Sequence, residues 1–214
     1  MGRLRRLETF LIVFAIVAGC AFDPPPFDNP VDPINQDDDT PEPVYAIGDV
    51  GPAGGWIFYV DENDDFDWTY LEAAPEDAAS IEWLSVNEWL NGESVEDGET
   101  QTGIGFGAHN TDRILHYKGV RDAPAAEFCD ELEIVHEGTT YSDWFLPSLD
   151  ELNAMYVNLH DQDPPIGGFT PDEYWGSSES SASEFLAWAQ YFDNGLQFED
   201  FKNVDFRVRA ARAF

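Results

Sequence analysis

The chain has 214 residues, 43 acidic against 10 basic side chains, a net charge of −33 and 43% hydrophobic residues. That length suits one sizeable domain with appendages. The charge excludes partners held through a basic face, namely nucleic acid, sulfated polysaccharide and anionic lipid headgroups, because their negative groups are repelled.

Residues 1–19 read as a lipoprotein signal peptide. Arg3, Arg5 and Arg6 make a basic start, and residues 10–18 form an apolar run too short to span a bilayer comfortably. The run ends Val17-Ala18-Gly19-Cys20, which resembles a bacterial lipobox, where small residues precede a lipidated Cys. Cys20 is the expected lipidation site. The expected location is therefore outside the cytoplasm, anchored to the membrane through this lipid alone, on a periplasmic face or the cell surface. Residues 21–43 contain seven prolines and seven acids and no base. Such a segment cannot bury enough apolar surface to order itself, so 20–43 reads as an acidic disordered tether. The globular domain is expected over 44–214.

Gly48, Gly51, Gly54 and Gly55 mark a turn. It lacks the Lys-Ser/Thr ending of a phosphate loop and precedes a strand. Residues 56–60 and 68–74 predict a hairpin with an acidic tip. There, Asp61, Asn63, Asp65, Asp67 and Glu72 match positions 1, 3, 5, 7 and 12 of a calcium loop. Phe66 stands where such a loop needs Gly, and the flanks are strands rather than helices. The candidate is a looser calcium site on Asp61, Asn63, Asp65 and Asp67, beside the plain reading of a solvated turn.

Residues 81–86 predict a strand with Trp89 and Leu90 behind it, and 92–107 a surface loop. A short helix over 109–117 is expected, with a polar cap near Asn110. A second helix is expected from Asp122 to about Val135, ending before Gly138. Cys129 lies in that helix beside Asp130 and Glu131. It reads as a small buried hydrophobe, because a nucleophile needs a basic neighbour. His109, His116, His136 and His160 lack metal-like spacing and read as surface or capping residues.

Trp144, Phe145 and Leu146 suit a short buried strand, which Pro147 stops. Ser148 and Glu151 are spaced as a capping box, and Leu149, Leu152, Met155, Tyr156 and Leu159 make one apolar helical stripe. After a loop at 161–168, residues 174–179, 186–192, 196–201 and 206–210 predict an antiparallel meander, with Asn194-Gly195 turn chemistry. Ser177, Ser178, Ser180, Ser181 and Ser183 lack the spacing of a hydrolase nucleophile elbow. Lys202, Arg207, Arg209 and Arg212 are expected in structural ion pairs rather than a ligand site. Arg212 points inward if its strand runs unbulged, and outward if a bulge falls at Ala210-Ala211.

Five blocks carry a family resemblance: residues 47–59, 70–75, 143–152, 174–179 and 207–214. Their order and residues resemble the Legionella collagen-like protein C-terminal domain family, once a domain of unknown function. The resemblance spans 44–214. It implies an α+β domain of C-type-lectin-like kind, with two or three helices packed on a twisted antiparallel sheet, a C-terminal strand meander and neighbouring ends. It also implies trimerisation and glycosaminoglycan binding, but this chain lacks collagen-like repeats and has the wrong charge for the latter. The expected function is a non-catalytic binding or adhesion domain on a lipid-anchored envelope protein, with a carbohydrate or protein ligand. An envelope enzyme related to formylglycine-generating folds, or a purely structural lipoprotein, are the alternatives. The loops at 61–67, 93–109 and 161–170 are the expected binding surfaces.

Overall fold

Alternation along residues 56–60 and 70–73 forms the first strand pair. β1 (Trp56–Val60) and β2 (Tyr70–Ala73) run antiparallel, with a register shift between Ile57 and Tyr59. They belong to a computed structural model that describes residues 43–86, 100–116 and 122–214. The signal peptide, Cys20, nearly all of the tether, and Trp89 and Leu90 lie outside the described residues. The described domain is α+β. Its elements continue as β3 (Ile81–Glu82), α1 (Gly107–His116), α2 (Pro124–Asp130), β4 (Ile134–His136), β5 (Thr139–Tyr141) and α3 (Leu149–Met155). A π-helical turn (Tyr156–His160) extends α3. Then come β6 (Glu173–Glu179), β7 (Leu186–Tyr191), β8 (Gln197–Phe201), β9 (Asp205–Phe206) and β10 (Ala211–Ala213).

The strands make four small antiparallel sheets rather than one: β1-β2-β10, β3-β9, β4-β5 and β6-β7-β8. The expected meander holds for β6 to β8. It fails at 206–210, where only Phe206 is strand, in β9 with Asp205. The reason is that this segment changes partner at almost every residue. Phe206 pairs with Ile81, and the Arg207 N–H donates to the Glu173 carbonyl at 2.9 Å. The carbonyls of Val208 and Ala210 accept from Ala78 and Ala74, each at 2.8 Å. Ala211 then exchanges bonds with Phe145, and β10 joins β2. Residues 205–214 are thus a seam that stitches the sheets together.

Other boundaries differ for local reasons. The strand expected over 81–86 covers only Ile81 and Glu82. The expected strand at Trp144 to Leu146 is a single bridge, Phe145 to Ala211. Its side chains still alternate: Trp144 and Leu146 enter one core cluster with Trp83, Ile114, Cys129 and Trp175. Phe145 enters the other with Phe58, Leu71, Leu152, Met155 and Phe192. This short segment is the wall between two cores. The helix expected to reach Val135 stops at Asp130, because β4 and β5 form a hairpin around Glu137 (φ 49) and Gly138 (φ 85). Two positive-φ residues make the tight turn that suits strand twist. Asn110 is not a cap. It sits inside α1, fully buried, with its side chain exchanging bonds with Gln101 and donating to Ser177 Oγ at 3.0 Å.

The capping box is present as expected. The Ser148 N–H donates to Glu151 Oε2 at 2.8 Å, and the Glu151 N–H donates to Ser148 Oγ at 3.3 Å. Leu149, Leu152, Met155 and Leu159 are buried along one stripe.

Lys202, Arg207, Arg209 and Arg212 all stand in ion pairs. Lys202 pairs with Glu179 and lies over the Trp83 ring. Arg207 meets Asp172 at 3.0 Å, and Arg209 meets Asp77 at 2.6 Å. Arg212 points inward, gripping both Asp143 oxygens at 2.9 and 2.8 Å and reaching Glu72 at 3.2 Å. Buried charges require such partners.

Candidate functional site

The β1–β2 pairing places residues 61–69 at the end of a hairpin. Asp61 begins the loop and turns inward, 5% exposed. Its carboxylate accepts from the Phe66 N–H at 2.9 Å and the Asn63 N–H at 3.3 Å. It therefore caps its own loop, as short acidic side chains do at turns. Asn63, Asp65 and Asp67 are exposed. Among the described residues, no three His, Cys, Asp or Glu side chains converge to hold a metal ion. Glu72, the last residue of the calcium-like spacing, is fully buried elsewhere. It accepts from Gly55 N at 2.7 Å and Ala53 N at 3.1 Å, and pairs with Arg212. Glu72 locks the glycine-rich turn to β2.

Phe66 explains the departure from a calcium loop. Its ring stacks on Trp68, with centroids 4.4 Å apart and planes 4° from parallel. Tyr59 meets Trp68 edge-on at 6.0 Å. Gly105 backs the other side of Phe66: a Cβ there would lie 2.5 Å from a ring atom, and its φ of +87° suits only glycine. Two loops that the sequence marks separately, at 61–67 and 93–109, therefore meet through Phe66 and Gly105. Phe106, the residue after Gly105, carries a 41% exposed ring that meets His109 edge-on at 6.3 Å. Exposed Glu62, Asp64, Asp65 and Asp67 belong to the same tip. The Tyr59 hydroxyl is held protonated above its usual range by desolvation first, then by Asp61, Asp65 and Glu62. The result is a ledge of aromatic rings edged by carboxylates.

Glu151 fixes the second loop of this ledge. Beyond its capping role, Oε1 accepts from Gly105 N at 2.8 Å and Gly107 N at 3.3 Å. The carboxyl is fully buried, and burial pushes it up to about 7 despite the backbone N–H groups that favour its charge. The third expected loop, 161–170, is anchored at a different cluster. The Gly167 carbonyl accepts from Arg209, and Thr170 and Tyr174 bond Asp77.

Two concavities lie elsewhere. One, of about 210 Å³, lies between α1 and residues 142–145 and includes Asp112, His116, Asp130 and Asp143. Within it, His116 Nδ1 meets Asp112 Oδ1 at 3.2 Å, and Asp143 holds Arg212. The other, of about 200 Å³, lies between residues 74–77 and α2 with β4. His109 and His116 are exposed, whereas His136 packs near Gly54 and His160 among Tyr156, Phe169 and Phe192. Ser177 and Ser178 are fully buried and bond Asn110, Gln101 and Leu149. Cys129 is fully buried, and desolvation pushes its thiol upward.

Sequence reasoning missed the ring stack, because Phe66 and Trp68 lie in a loop whose acids dominate its composition. The i, i+2 aromatic pair was the available signal. No protein-family model matches the chain, and no curated protein matches it.

Proposed function

We propose that the protein is a lipid-anchored envelope protein, attached through Cys20, whose non-catalytic domain binds carbohydrate at the ledge of Tyr59, Phe66, Trp68 and Phe106. The observation that carries this reading is the stacked ring pair edged by exposed carboxylates. The half-buried rims of these rings offer apolar surface to sugar C–H groups, and carboxylates accept bonds from sugar hydroxyls or amines. The same carboxylates disfavour sulfated or sialylated glycans. The five blocks resembling the Legionella collagen-like protein C-terminal family support a C-type-lectin-like arrangement and suggest a trimer. The neighbouring ends of the domain fit that arrangement, since Tyr45 packs on Phe214 with centroids 5.7 Å apart.

Glycan-array binding by the full chain tests the ledge. Neutral or amino-sugar glycans should be retained, and Trp68→Ala should lose at least about tenfold, a typical cost of removing an aromatic anchor. Equal binding by Trp68→Ala would overturn the assignment. Repeating the array with calcium and with a chelator separates a cation-assisted site from the ledge alone. Labelling with an alkynyl fatty acid tests the anchor, and Cys20→Ser should abolish it.

A further inference from the structure

Where the chain leaves β2, Ala74, Pro75, Glu76 and Asp77 face a slot of about 200 Å³, with Leu132 and Ile134 opposite. The slot wall is rigid. Asp77 is tied to Arg209 at 2.6 Å and to the Tyr174 hydroxyl at 2.6 Å. Apolar surface dominates the interior, while Glu76, Glu131 and Glu133 are exposed around it. β4 carries Ile134 on the slot side. Among the described residues β4 pairs only with β5, which leaves its other edge open.

The hairpin register settles what that edge offers. The two-residue turn at Glu137 and Gly138 makes His136 and Thr139 the closing, hydrogen-bonded pair. Val135 and Thr140 are then a non-bonded pair, so the N–H and C=O of Val135 point outward. Side chains alternate along a strand, which puts Ile134 toward the slot and Glu133 and Val135 on the other face. A strand laid beside β4 would meet the same alternation, apolar toward Ile134 and cationic beside Glu133. The slot has room for one aliphatic side chain, and the chain's net charge of −33 complements a basic partner.

We infer that this slot and the open edge of β4 dock an extended basic segment of a partner protein, of alternating basic–apolar pattern. Its backbone adds to β4, one apolar side chain enters the slot, and its lysines or arginines sit beside Glu133 and Glu131, on the face away from the slot. The mode is strand addition with a side-chain pocket for specificity. It is independent of the carbohydrate ledge.

The test is fluorescence anisotropy of the full chain with a labelled Lys-Leu-Lys-Leu-Lys-Leu-Lys peptide. Two controls replace every Leu by Ser or every Lys by Glu. The Lys-Leu peptide should bind, the Lys-Ser peptide about tenfold more weakly, and the Glu-Leu peptide not at all. The double variant Glu131→Lys and Glu133→Lys should weaken binding about tenfold and flatten its salt dependence, since both residues are exposed. Val135→Pro removes only an outward N–H and should also weaken binding. Thermal melts that match the parent confirm that both variants fold. Equal binding of the Lys-Ser peptide would show charge alone at work and overturn the slot. Unchanged binding in Val135→Pro would overturn the strand addition.

Discussion

Replacing Glu151 by Gln isolates a buried titration. In the folded chain this carboxyl is pushed from its ordinary 4.5 up to about 7, by full burial. Between those two values the fold holds a proton that the unfolded chain has released. The stability from this proton is fully present below about pH 4.5 and is lost as pH rises through about 7. A difference of about 2.5 pK units corresponds to about 3 kcal/mol, most of it falling between pH 5 and pH 8. Gln has no such proton. Its amide oxygen can serve Gly105 and Gly107, but its NH2 then faces the Ser148 N–H, a constant cost of about 1–3 kcal/mol. Urea unfolding of the full chain and of Glu151→Gln, at pH 5 and pH 8, reads the difference between them. Gln should be the less stable at pH 5. At pH 8 the gap should shrink by about 2–3 kcal/mol, bringing the two chains level or reversing their order. A gap that stays constant within about 0.5 kcal/mol would refute the reasoning, since every other carboxyl cancels in the difference.

Two glycine substitutions should separate by space rather than by residue type. Gly55→Ala puts a Cβ 2.0 Å from the Ala73 carbonyl oxygen and should cost at least about 3 kcal/mol. Gly138→Ala meets nothing within 4 Å, so only its φ of +85° is strained, about 1–2 kcal/mol; denaturant midpoints compare them. Arg212→Met strands the buried Glu72 carboxylate and should cost about 3 kcal/mol or more. Arg207→Met, from a pair whose side chains are 29% and 44% exposed, should cost less than about 1 kcal/mol. Cys129 should resist Ellman's reagent in the native chain and react once unfolded, because burial keeps it a thiol. Rapid native reaction at Cys129 would show that α2 opens readily.

The features legible in the sequence are those whose partners are close along the chain. The Ser148–Glu151 box, the β1–β2 hairpin and the stripe on α3 need only a few neighbouring residues to specify them. Arg212 was legible to one decision, in or out, because strand parity gives direction but not partner. Its partners, Asp143 and Glu72, lie 69 and 140 residues away. Asn110 misled for the same reason: its polar side chain suits a cap locally, but Ser177 lies 67 residues on and draws it into the interior. The acidic tip allowed two readings, a loose cation site and a solvated turn, and composition could not choose between them. Its acids suggested a cation, while Phe66 and Trp68 carry the local order. The short strands of the seam were illegible, since a strand that pairs with several sheets has no period of its own.

That seam also sets when the domain can fold. Residues 205–214 supply partners to β2, β3, β6 and Phe145, all of which precede them on the ribosome. Until they emerge, Glu72, Asp77, Asp143 and Asp172 have no arginines, and their mutual repulsion in an acidic nascent chain holds it open. Loop closure over so many residues comes last and makes folding slow.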